Sequence, residues 1–408
     1  MKHSRWIVIL CVLLALGSPA AQAHEFSYQF RSGDRYRILS TVNHDIFVNR
    51  QLSFRSEIVN RIAVEVTDVF GTSARLSATF QSAERTVSVG AGGRIGTAQS
   101  DLFEWSRNYY SVFDQDRLGH MTVAPQYFKP MIRNVPVFPD RPLEVGDFWS
   151  APGVIVHDFR YSLWIEEPFK IPLHALYTFL GERQWRGRSY PAFSVSYTIL
   201  YRPAAVSGRV YPQRIQVASE KTVFWDPDMG QVAAYEEQFR TVLELSNGDT
   251  WEYRGRAEAE VIESPPMDRE ELLREIIEDI ANIADATARI TDEGIVISLE
   301  NIQFAPDSAV FLPGEIDKLS IIAEILMRHP DRDILVGGHT ALAGTAESRQ
   351  RLSIERAGVV ADYLLRRNIR TPDRVVIRGY GAERPIADNV TEEGMSRNRR
   401  VEITILEN

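Results

Sequence analysis

The sequence predicts a multidomain α+β protein. An N-terminal antiparallel all-β domain, a sandwich or partial barrel, is followed by a connector helix and a C-terminal α/β sandwich. Three observations predict it. Apolar residues alternate with others through residues 24–263, as in Phe193, Val195, Tyr197, Ile199 and Tyr201, which is the period-2 mark of strands with one buried face. Pro265-Pro266 ends that pattern, and Asp268 with Glu271 then opens a helical one. From Gly294 onward, short apolar runs alternate with stretches of helical spacing, the pattern of a sheet with helices packed on it.

Composition sets the broad class. A chain of 408 residues with 44% hydrophobic and 25% charged content has room for two or three domains and is ordinary for a globular protein. Lys2 and Arg5 precede an apolar run from Trp6 to Leu16, and Ala21-Gln22-Ala23 supplies small residues at the cleavage positions. Residues 1–23 therefore read as a signal peptide. No later stretch reaches the roughly 18 apolar residues of a membrane helix, so no transmembrane segment is expected after signal removal. Cys11, the only cysteine, follows Leu10 in the middle of the apolar run. A lipid-attachment cysteine would end the run after a small residue, so lipidation is not expected. The mature chain then has no disulfide and relies on core burial. Losing Lys2 and Arg5 takes the formal charge from −9 to −11 (−9 − 2), a balance that argues against a nucleic-acid partner.

Turn chemistry divides the β-rich domain, residues 24–263. Strand candidates Ile62-Val64-Val66 and Leu76-Ala78-Phe80 flank Gly71-Thr72-Ser73. Ser246-Asn247-Gly248-Asp249 separates Thr241–Leu245 from Thr250–Tyr253 as a hairpin. Gly90 to Gly96 is glycine-dense, but no helix follows to make a phosphate cradle, so it reads as a hairpin tip. Val137 to Trp149 reads as a compact structural turn with aromatic anchors. The charged, proline-broken segments fall short of the sustained 9–11-residue alternation of a membrane barrel.

The connector, residues 264–289, carries Leu272, Leu273, Ile276, Ile277, Ile280 and Ile283 at helical spacing. A helix from about Asp268 to Ala286 is expected, packed on one domain; it is too short for a coiled coil. In residues 290–408, strands are expected at Ile295–Leu299, Asp333–Gly337, Arg374–Arg378 and Val401–Ile405, with helices over Pro313–Met327 and Ala346–Arg367.

Gly338-His339-Thr340, Leu352-Ser353, Arg356-Ala357, Gly379-Tyr380-Gly381, Asn389 and Asn398 to Ile403 follow in this order, after Asn301 to Phe304 with Asp307 and Ser308. In these motifs residues 290–408 resemble the OmpA-like family, whose members face peptidoglycan. The resemblance implies a clamp for diaminopimelate in the stem peptide: an arginine for the carboxylate and an aspartate for the ammonium. Arg356 matches the arginine. The aspartate position after Gly-His-Thr is Ala341, and the family's asparagine near the helix start is replaced by Arg349. Asp307, Ser308, Thr340, Ala341, Arg349 and Arg356 are therefore the binding candidates, with diaminopimelate-type peptidoglycan expected to bind weakly or with altered specificity. Arg356, near a helix face that includes Leu352, Val359, Val360 and Tyr363, needs partners to offset desolvation. That partner is either a carboxylate of the chain or one of a ligand.

No catalytic constellation is present. The seven mature histidines show no metal-ligand spacing, and there is no serine elbow or cysteine nucleophile. Glu166-Glu167 and Glu236-Glu237 are strand neighbours that point to opposite faces. No enzyme activity, cofactor or metal is expected. The function expected is a structural or tethering envelope protein, exported to the periplasm, free there or associated with the outer membrane. Its partner is peptidoglycan or another envelope protein. The alternative is a periplasmic binding or transport factor whose β-domain holds an apolar ligand or a protein partner on a repurposed OmpA-like scaffold. A continuous apolar cavity would mark the second reading, and a filled core the first.

Overall fold

A computed structural model describes residues 23–89, 104–262, 267–291, 293–300, 311 and 314–406. Residues 1–22 of the expected signal, the glycine-dense tip, and Asp307 and Ser308 lie outside the described residues.

The N-terminal domain is twelve strands: β1 (Arg35–Val48), β2 (Gln51–Phe70), β3 (Ser73–Ser88), β4 (Glu104–Asp116), β5 (Met121–Val123), β6 (Ile132–Arg133), β7 (Phe148–His157), β8 (Phe169–Trp185), β9 (Arg188–Tyr201), β10 (Pro212–Asp226), β11 (Gln231–Leu245) and β12 (Thr250–Ile262). Every neighbour pair is antiparallel, in the order β5-β4-β3-β2-β1-β12-β11-β10-β9-β8-β7-β6. The two edges, β5 and β6, are successive in the chain, so the sheet curls into a near-barrel. Its seam closes through side chains: Tyr109 on β4 donates to Asp158, just past β7, at 2.8 Å.

The strands are longer than the sequence suggested. β2 runs for 20 residues and β8 for 17. Charged and polar residues break the apolar alternation because they occupy the alternate, exposed positions, as Glu220, Gln238, Arg240, Arg254 and Arg256 do, where they line one recess of the sheet. The ladder itself continues beneath them. The expected shortfall in strand length is thus wrong.

One part of the β-domain carries a packed aromatic core, while residues of β1, β2, β3 and β8 to β12 together line a recess of about 1160 Å³. Phe26, from the segment ahead of β1, sits 5.2 Å from Phe138, 5.1 Å from Phe179, 5.8 Å from Phe193 and 6.0 Å from Trp225, ring centre to ring centre. The Val137–Trp149 turn packs here too, and the Trp149 indole donates to Val137 O at 2.8 Å.

Helix α1 (Arg269–Ile280) is capped as expected, with the Asp268 side chain accepting from Glu271 N. It stops six residues short of Ala286. Asp285 takes φ +61, and the chain turns into strand β13 (Ala286–Thr291), which pairs with β14 (Gly294–Glu300). The pairing needs of this edge strand override the apolar spacing that suggested more helix. Leu272, Ile276, Ile280 and Ile283 join the core of the C-terminal module, so α1 belongs to that module.

The module continues with α2 (Glu315–Met327), β15 (Ile334–Gly338), α3 (Ala346–Arg366), β16 (Val375–Gly379), α4 (Glu392–Asn398) and β17 (Arg400–Leu406). Its sheet order is β13-β14-β17-β15-β16, with only β15–β16 parallel. Ile295, Ile297, Val336 and Ile403 face Leu319 and Ile322 of α2 and Val360 and Leu364 of α3. Val296, Leu335, Val376 and Thr404, on the opposite face, are also buried. Among the described residues, Arg37 and Arg61 of the barrel contact Asp333 of the module, and Glu104 pairs with Ile377.

Candidate functional site

The sequence candidates that can be placed gather at the C-terminal end of β15. Two glycines set the geometry. A Cβ on Gly338 would fall 1.9 Å from Ser353 O, and one on Gly379 would fall 2.5 Å from Ile354 Cγ1. Helix α3 therefore rides directly on the strand ends, and small residues face the sheet. The buried stripe of α3 is Ser353, Ala357, Val360, Ala361 and Leu364. The stripe expected from Leu352, Val359 and Tyr363 is rotated aside, and those residues are half-buried. Arg356, next to Ala357, is half-buried at the rim.

The loop His339–Thr340–Ala341 is tightly framed. Thr340 N donates to Gly381 O at 2.8 Å, and Tyr380 N donates to Gly338 O at 2.9 Å. Gly381 N donates to the Ser353 hydroxyl at 3.0 Å, and the Gln350 amide donates to Gly379 O at 3.0 Å. Leu342 N donates to Asn389 Oδ1 at 3.0 Å, and that oxygen also accepts from Asn398 Nδ2 at 3.0 Å. The resembling motifs thus converge in space to hold one loop. Gln350 belongs to this frame and was not singled out by the sequence, because its role is a contact across 29 positions.

Ala341 is 5% exposed, so the position where a carboxylate is expected is a methyl group packed against the frame. Thr340 is 6% exposed and its hydroxyl has no hydrogen-bond partner among the described residues. Arg349 Nη1 donates to Gly344 O at 2.6 Å, so this guanidinium folds back on the loop that enters α3.

Two other carboxylates of the module are already engaged. Glu402, on β17 beside Gly337, accepts from Arg400 Nε at 2.9 Å and Arg289 Nη2 at 3.0 Å, with His339 Nε2 at 3.5 Å. Burial would raise its pKa, but the His339 contact and the Arg400 charge outweigh that and hold it down at about 2. His339 stacks on Tyr380 at 4.8 Å. Burial lowers its pKa against the pull of Glu402. Asp388 accepts from Val390 N and Thr391 N in the turn that caps α4.

Residues 303–399 match the model of the OmpA family, so the C-terminal module is an OmpA-family domain, and the match does not extend to the barrel. Peptidoglycan-binding protein ArfA of Mycobacterium tuberculosis is 38% identical over 104 residues, 26% of this chain and 32% of that protein. Outer membrane porin F of Pseudomonas fluorescens is 34% identical over 105 residues, 26% of this chain and 32% of that protein. The solved structure of the cell wall anchor of the T6SS from Pseudomonas aeruginosa is 28% identical. That match covers 33% of this chain and 97% of the other, with a TM-score of 0.30. The chain spans about a third of the length of the curated relatives it matches.

Proposed function

We propose that the protein is a non-enzymatic cell-envelope protein with a structural or tethering role. It is exported to the periplasm, associates with the outer membrane or wall, and faces peptidoglycan with its OmpA-family domain. Relatives of that domain are named as peptidoglycan-binding, porin and motility proteins. The grip on diaminopimelate is weak. One observation carries this: Ala341 is buried in a loop whose hydrogen-bonded frame is otherwise intact. The site lacks one charge while its scaffold is kept.

Removing one partner of a desolvated charge pair costs about 2–5 kcal/mol, and the upper half of that range is about a thousandfold in affinity. Glu402 does not replace the missing aspartate, because its Oε1 already accepts from Arg289 and Arg400 and its Oε2 faces His339. The β-domain has a recess of about 1160 Å³, but its lining includes Asp45, Arg85, Glu220, Arg240 and Arg254, which does not suit a purely apolar cargo and so supports tethering over that alternative.

Titrating a soluble diaminopimelate-containing muropeptide into the full chain tests the reading. The wild type should bind weakly, and Ala341→Asp should bind at least about thirtyfold more tightly. Equal affinities for the two proteins would sink it.

A further inference from the structure

The charged recess of the β-domain reaches from β3 across to β8 and encloses about 1160 Å³, above the roughly 300–1,000 Å³ of small-molecule sites. Three arginines stand at its middle. Arg254 and Arg256 are two apart on β12, so their side chains share a face. Arg240 of β11 lies directly opposite Arg254. All three are exposed. Like charges directly opposed across an antiparallel pair destabilise a sheet, so stability does not account for this placement.

The charges nearby do not balance the three. Arg240 Nε and Arg254 Nε both donate to the same oxygen, Glu252 Oε1, each at 2.5 Å. Among the described residues their terminal nitrogens make no hydrogen bond, and Arg256 has no charged partner. Asp45, opposite Arg254 on β1, is taken by Arg55 Nε at 3.1 Å, and Glu57 is taken by Arg85. Glu220 lies two strands from Arg256, beyond Gln238. Three guanidiniums against one carboxylate leave a local excess of two positive charges, in a chain whose formal charge is −9.

The chemistry narrows the ligand. A guanidinium fork suits a carboxylate or a phosphate, but a lone carboxylate neutralises only half of this excess. A phosphomonoester carries about −1.5 to −2 near neutral pH and offers three acceptor oxygens, which matches it. A peptide strand has no free sheet edge to pair with here, because β11, β12 and β1 are each paired on both sides.

We propose that this recess binds a ligand bearing a phosphomonoester group, held by Arg240, Arg254 and Arg256. The inference goes beyond the reading of Ala341 and involves none of the same residues.

The test is calorimetric titration of the full chain with glycerol phosphate, with glycerol as the control, and cosedimentation with phosphatidylcholine vesicles with and without phosphatidic acid. Saturable, phosphate-dependent binding is expected, weakened about tenfold by Arg256→Gln and by Arg240→Gln. Arg256 has no partner to orphan, so its variant should fold as the wild type does. Arg35→Gln, at the other end of β1 and paired with Glu65, should leave affinity unchanged. Binding of glycerol phosphate identifies a soluble ester as the source, and binding of phosphatidic acid vesicles alone a lipid headgroup; both support the site. No binding to either probe overturns it. So does equal binding of glycerol, affinity that both recess variants leave unchanged, or an equal loss in Arg35→Gln. Tighter binding of poly-L-glutamate than of either phosphate probe would make the occupant an acidic peptide and overturn it too.

Discussion

The two ends of β15 treat charge in opposite ways. At the start, Asp333 is 3% exposed and meets three arginines: Arg37 at 2.6 Å, Arg374 at 2.8 Å and Arg61 at 3.3 Å. Two of these come from the barrel and one from the module. Burial alone would raise the Asp333 pKa, but the charges of Arg61 and Arg37 and the bond from Arg374 hold it below the usual carboxylate range. At the far end, on the proposed reading, Ala341 stands where the family has an aspartate and Arg356 matches the family's arginine. One end has an excess of arginines converging on a single carboxylate, and the other has lost its carboxylate. The Asp333 end fastens two domains, so its charges are satisfied within the chain. The Ala341 end would be completed by a ligand, so a lost charge there leaves the fold unharmed. A structural ion cluster is constrained by the cost of its own burial; a ligand clamp is constrained only by binding.

The largest effect should come from Asp333→Asn. It leaves Arg37, Arg61 and Arg374 facing one another without an anion, at a cost of about 3–5 kcal/mol. Chemical denaturation of the full chain would read this directly. A loss below about 1 kcal/mol would mean that the cluster is solvated and does not fasten the domains.

Gly338→Ala probes the other end. The added Cβ meets backbone at Ser353, which cannot swing away, so a loss of about 1–3 kcal/mol is expected from overpacking. A neutral substitution, measured the same way, would show that α3 can lift from the strand and that the loop frame is loose.

The smallest effect is acid sensitivity. Glu402 is held at about 2 when folded, against roughly 4.3 in an unfolded chain. Its folded pKa is the lower one, so its contribution is complete above the unfolded value and is lost as pH falls through it toward 2. Asp333 is shifted in the same direction. Stability of the wild type should fall across that acid window, and Glu402→Gln should flatten part of the slope. An unchanged slope would remove Glu402 from the arginine-held framework.

Much of the fold was legible because it rests on local pattern. The alternation of β9, the hairpin at Ser246–Asp249 and the N-cap at Asp268 follow from neighbouring residues. The site was legible as motifs, and Ala341 stood out as a departure from them. Long-range features were not legible. Arg37 and Asp333 are 296 positions apart, and no periodicity joins them. Strand β13 was hidden in an apolar spacing that also suits a helix. The close seating of α3 on Gly338 depends on a clash that only coordinates reveal.

The most direct test of the central claim is retention of the full chain on purified diaminopimelate-type sacculi, for the wild type and for Arg356→Ala. With Ala341 in place of the aspartate, retention should be weak and nearly the same for both proteins. Tight retention of the wild type that is lost in Arg356→Ala would contradict the account.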